Sequence, residues 1–176
     1  MNGRILDDAE IQVCATGYRR AHPLEDLLFL AQKSNRIAPI QLLRHDRVVG
    51  WDHVRHAAKL AQRAMKEGRN HAKTLDVEFL RYASGKRQIK EALQLLGIPA
   101  SNDGAIVVAF GPKRMDAMQH FLHAIAENPD DTLLVADLQH LADFGVEVAA
   151  LDATPAERRL DLVLEKVALV DVQRNG

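Results

Sequence analysis

Residues 75–96 read LDVEFLRYASGKRQIKEALQLL, and the fold turns on how this stretch divides. Leu75, Val77 and Phe79 alternate with Asp76, Glu78 and Leu80, a period of two that predicts a strand over 75–82. Ser84–Gly85 then turns the chain. Ile89, Leu93 and Leu96 recur at helical spacing and predict a helix over 86–96, with Gly97 just past its end and Pro99 beyond. Strands alternating with helices are the raw material of layered α/β and α+β folds.

Outward from this stretch the same signals continue. EIQVCAT at 10–16 reads as a strand, and Pro23 opens a helix to about Arg36 with Glu25 and Asp26 in its first turn. Residues 39–44 and 47–49 are short extended candidates. Asp52 is placed to cap a long helix over 53–67 that Gly68 ends. AIVVAF at 105–110 reads as a fully buried strand, followed by a helix from Gly111–Pro112 to about Glu127. TLLVA at 132–136 fits strand or helix, and residues 137–144 a short helix stopped by Gly145. Thr154, Pro155 and Glu157 make a capping-box start for a last helix to about Asp171, with Leu160, Val163, Leu164, Val167 and Val170 on its core face. The expected fold is therefore α/β (α+β): one domain over 1–176, a mixed, largely antiparallel sheet of about four to five strands flanked by helices.

The composition sets outer limits. The 176 residues carry a net charge of −1 and 47% hydrophobic content, ordinary for a globular chain and unlike a disordered one. No apolar run approaches the roughly 20 residues a bilayer-spanning helix needs, and MNGRILDDAE has no signal-peptide core. The lone Cys14 excludes an internal disulfide and fits a cytoplasmic location. The near-zero total hides a segregation: residues 55–90 hold ten Lys/Arg and three acids, residues 127–171 eleven acids and three bases. A basic centre beside an acidic C-terminal third suggests two partner faces.

Within the basic segment, Arg55, Lys59, Arg63 and Lys66 fall on one helical face with only Glu67 near in sequence. Such a stripe either tracks phosphates or is a solvated face. In SGKRQ, Lys86 and Arg87 are expected in the first turn of the next helix, where cations oppose the macrodipole. That placement disfavours stability and favours an anion, and Gln88 adds an amide able to read a base edge. FGPKRM at 110–115 repeats the arrangement more weakly and has no P-loop signature. No catalytic set is recognisable. His53 and His56, and likewise His120 and His123, share faces at i,i+3, but one distant cysteine completes no zinc site, so neither metal nor cofactor is expected. Cys14 reads as a small core hydrophobe.

The segment NHAKTLDVEFLRYASGKRQIKEALQLLG, 70–97, resembles the signature of the small PRPK-binding-protein subunit of the KEOPS tRNA-modifying complex. Asn70, Leu75, Glu78, Leu80, Tyr82, Ala83, Ser84, Gly85, Arg87, Gln88, Ile89, Ala92 and Gly97 carry the likeness, and EKVALVDV at 165–172 resembles the closing helix of that family. The resemblance implies a non-catalytic subunit. It implies binding and stimulation of the kinase-like ATPase subunit, recruitment of tRNA by its single-stranded 3′ CCA end, and support of threonylcarbamoyladenosine formation. The expected RNA-binding residues are Lys59, Arg63, Asn70, Lys73, Ser84, Gly85, Lys86, Arg87 and Gln88, forming one basic groove. Tyr82 is the one aromatic available there for stacking. The surface that meets the kinase-like subunit is open; the acid-rimmed C-terminal helix is one candidate, though its apolar stripe has core spacing. The alternatives are a protein-interaction module that docks an acidic partner without RNA, and a small α/β module that takes a phosphorylated ligand at the 84–88 turn.

Overall fold

The structure, a computed structural model, describes residues 4–7, 12–135 and 138–172. Four strands form one antiparallel sheet in the order β1-β2-β4-β3: β1 Arg4–Asp7, β2 Gln12–Tyr18, β4 Ala105–Phe110 and, at an edge, β3 Ile40–Leu43. The α+β class and antiparallel sheet agree with the sequence reading. Residues 10 and 11 of the expected first strand lie outside the described residues.

β4 is buried throughout because both its faces are covered. Ala105, Val107 and Ala109 pack with α1 (Leu24–Ser34) and α5 (Arg114–Ala124), through Leu27, Met118 and Phe121. Ile106, Val108 and Phe110 face the opposite cluster, built from α2 (Gly50–Lys66), α3 (Leu75–Ser84), α4 (Ile89–Leu96) and later helices. The sheet's period of two thus sorts one continuous apolar run into two cores. Cys14 belongs to the first; burial pushes its thiol up to about 11, so it packs rather than reacts.

The expected strand over 75–82 is instead helix α3. Leu75, Phe79, Tyr82 and Ala83 fall together at 3.6 residues per turn, and Phe79 lies against the Phe110 ring, centroids 5.0 Å apart. The period-two reading put Glu78 and Tyr82 on a polar face, yet both are buried. Three apolar–polar alternations are too few to separate strand from helix. α2 accepts α3 closely because its inward stripe is Ala57, Ala58, Ala61 and Ala64, all buried.

Other boundaries moved for local reasons. Residues 47–49 form no strand: His45–Arg47 is a 3-10 turn, and Val48, though extended, leads directly into α2. α2 starts at Gly50, so Asp52 sits in its first turn, paired with Arg55 at 2.9 Å, rather than capping it. Residues 131–134 form a 3-10 turn, with Asp130 accepting the Thr132 N–H. Asp130 also donates its backbone N–H to Gly17 O at 2.7 Å, an approach that leaves no room for a side chain at 17. α6, Leu138–Asp143, matches the short helix expected there, and α7, Val148–Ala153, was not expected. The last helix is broken into a 3-10 turn at 156–158, α8 over Arg159–Ala168 and a 3-10 turn at 169–171. Thr154 caps no helix start; its hydroxyl donates to Ala150 O. Val163, Val167 and Val170 are fully buried, so that stripe is core.

Candidate functional site

The turn after α3 is built from the helix end. Gly85 adopts φ +64°, its N–H bonding Tyr82 O and the Lys86 N–H bonding Arg81 O, the paired bonds of a left-handed helix stop. The Ser84 hydroxyl is buried, donating to Arg81 O and accepting the Lys86 N–H. Ser84 and Gly85 therefore shape the turn. Lys86 and Gln88 are exposed and Arg87 is half-buried.

This corrects the expected electrostatics. α4 begins at Ile89 with Gln88 before it, so Lys86 and Arg87 are not in its first turn. They follow the C-terminus of α3, whose dipole favours cations. Their side chains are therefore not a destabilising feature that demands an anion.

The loop before α3 is fixed by a residue that the strand reading had left on a solvent face. Glu78, fully buried, accepts the backbone N–H groups of His71 at 3.1 Å and Ala72 at 2.7 Å. It also pairs with Arg81, one helical turn on, at 2.6 Å. Arg81, 1% exposed, donates its Nε to Arg87 O at 2.8 Å. The Asn70 amide donates to Ala72 O, and Lys73 beside it is exposed. Glu78 thus fastens the 70–73 loop to α3, and Arg81, its ion-pair partner, fastens the 85–88 turn. The i,i+3 spacing of Glu78 and Arg81 was the signal for this, invisible once the segment was read as a strand.

Two cations of the α2 stripe, Arg55 and Arg63, are already paired with acids. Arg63 pairs with Glu67 at 2.8 Å, and Arg69 joins Glu67 to Asp171. The two guanidiniums hold the Glu67 carboxyl below its ordinary range, Arg63 first. Lys59 borders a cleft of about 300 Å³, with Arg55 and His56 on the α2 side and Leu160, Asp161 and Leu164 on the α8 side. Burial, then Arg55 and Lys59, push His56 below its ordinary value. α8 packs against both α2 and α3, and Lys166 meets Gly85. The sequence saw the cations here and missed two of their acids, Asp52 and Asp171, because one is local but was cast as a cap and the other is a hundred residues away.

Tyr82 is no stacking platform: it is buried, its hydroxyl donating to Asp171 at 2.5 Å, and burial with that carboxylate raises its pKa. His53 is buried too, with Nδ1 accepting the Val49 N–H at 3.1 Å and Nε2 on Ala83 O at 2.6 Å. Burial pushes it down to about 4, which keeps the ring neutral. It ties the start of α2 to the residue preceding the turn. His120 bonds Ser34. Among the described residues no group of three or more His, Cys, Asp or Glu is arranged to hold a metal. An apolar groove of about 420 Å³ runs along β3 between α1 and α4, and its lining includes none of residues 84–88. No helix among the described residues is long and apolar enough to cross a membrane.

The family model for the kinase-binding protein CGI-121 matches residues 21–152, three quarters of the chain. The chain belongs to the CGI-121 family. Its family is thus one of kinase-binding proteins, the family of the PRPK-binding KEOPS subunit that the 70–97 segment resembled. The match spans α1 to all but the last residue of α7 and so includes the Glu78–Arg81 pair, the alanine face of α2 and the whole turn. No match to this CGI-121 chain is found among the curated proteins.

Proposed function

We propose that this chain, as a single cytoplasmic domain over 1–176, is a non-catalytic subunit of a KEOPS-type complex. It recruits tRNA by the 3′ CCA end and binds and stimulates the complex's kinase-like ATPase subunit, in support of threonylcarbamoyladenosine formation. Membership of a kinase-binding family supports the kinase half of this reading.

One observation supports the RNA half: the paired Glu78 and Arg81 fasten to α3 both the 70–73 loop and the 85–88 turn, which carry Asn70, Lys73, Lys86, Arg87 and Gln88. Cations that pair with phosphates beside amides that read base edges suit a single strand. Ser84 and Gly85 contribute by shaping the turn. Lys59 and Arg63 serve as outlying phosphate contacts, with Arg63 exchanging Glu67 for phosphate. The burial of Tyr82 leaves base recognition to guanidinium stacking and hydrogen bonds.

The test is a gel shift with intact and CCA-trimmed tRNA, on the parent and on Lys86→Ala/Arg87→Ala. Each lost phosphate contact flattens the log–log salt slope by about 0.7. Trimming should weaken the parent's binding and leave the double variant's little changed. Equal binding of trimmed and intact tRNA by the parent refutes CCA recognition; inhibition by any polyanion alike then identifies a module for acidic partners.

A further inference from the structure

We infer that Glu78 and Arg81 are positioning residues, a buried link that couples the 70–73 loop to the 85–88 turn and presets the RNA surface. The functional half of this inference rests on the RNA reading above; the coupling itself does not.

The pair is 0% and 1% exposed, so neither residue touches a ligand directly. Buried ion pairs contribute little net stability, since desolvation offsets attraction, and apolar replacements often serve as well. Here the charged atoms are committed outside the helix that carries them. One Glu78 oxygen accepts two loop amides and the other meets Arg81 Nη1, while Arg81 Nε reaches Arg87 O. Among the described residues Arg81 Nη2 is buried without a hydrogen-bond partner, a cost that a pair serving α3 alone does not require. In the chain of contacts Ala72–Glu78–Arg81–Arg87 the first two steps are buried and the last is part-buried, so a shift in one loop passes to the other through a largely low-dielectric link. Loops ordered before binding lose less entropy when RNA arrives.

The experiment combines NMR-detected amide exchange with tRNA gel shifts, corrected for folded fraction, on Arg81→Lys. Lysine keeps the charge opposite Glu78 and removes the bond to Arg87 O. Exchange is expected to speed at Lys86 and, by coupling, about tenfold at His71 and Ala72, whose own acceptor is untouched. tRNA affinity should fall about tenfold with an unchanged salt slope, because no phosphate contact is lost. Faster exchange confined to 86–88 overturns the coupling. Unchanged affinity despite coupled loops overturns the presetting of the RNA surface. If the parent binds no tRNA, the RNA reading fails and the exchange data alone decide the coupling. If Arg81→Lys does not fold, Arg81→Gln, which also leaves the Glu78 carboxylate in place as the acceptor of His71 and Ala72, takes its place in the same comparison.

Discussion

His53 makes the stability of this protein depend on pH in a direction the structure fixes. The ring is 1% exposed and burial holds it neutral, with Nδ1 accepting the Val49 N–H and Nε2 donating to Ala83 O. Its folded-state pKa is lowered from 6.5 to about 4. The unfolded chain therefore binds a proton that the folded chain refuses. His53 costs no stability above about pH 6.5; the loss begins as pH falls through the unfolded value and is complete below the folded one. At about 1.36 kcal/mol per pKa unit, the full loss is on the order of 3 kcal/mol. The assay is urea unfolding at pH 7.5, 6.5, 5.5 and 4.5 for the parent and for His53→Gln, which does not titrate. Subtracting the two profiles cancels the groups that do not interact with His53; His56, whose pKa is also lowered, is followed beside it in an NMR titration. The parent should lose more stability with acid than the variant, most steeply below pH 6. Parallel profiles would refute the buried neutral ring and with it the tie between α2 and the α3 turn.

Three further outcomes follow from contacts already described. Phe79→Ala removes a fully buried ring that packs on Phe110, and should lower the unfolding free energy by about 3–5 kcal/mol in denaturant titration; an effect under 1 kcal/mol would contradict a helical α3 on the sheet. Gly17→Ala places a Cβ 2.6 Å from Asp130 O, so it should cost about 1–3 kcal/mol and visibly lower Tm. His56 is held down partly by Arg55 and Lys59, so a tRNA phosphate at that face must raise its pKa in an NMR titration. A static His56 would remove Lys59 from the RNA footprint.

Much of the architecture is written locally. Pro23 before α1, the uninterrupted AIVVAF of β4 and the left-handed Gly85 each act through covalent geometry or continuous hydrophobicity, which neighbours along the chain express by themselves. The site was half legible. Lys86, Arg87 and Gln88 stood out by composition, whereas their electrostatic setting was misread because a helix start was placed three residues early. Glu78 was passed over because a polar residue in an alternating segment looks solvated, and Arg81 because a strand over 75–82 sets it beside Phe79, away from Glu78.

The amino-acid order alone thus determined an α+β class and a basic middle with an acidic end, since periodicity and charge are properties of short windows. Tertiary packing decided the rest. LDVEFLRY became helix because β4 offers Phe110 for Phe79 to cover, and a helical turn puts the Glu78 carboxylate against Arg81 and two loop amides. Asp171 reached Arg69 and Tyr82 only when α8 packed on α2 and α3. Those choices depend on partners up to a hundred residues apart, whose positions relative to one another no local pattern encodes.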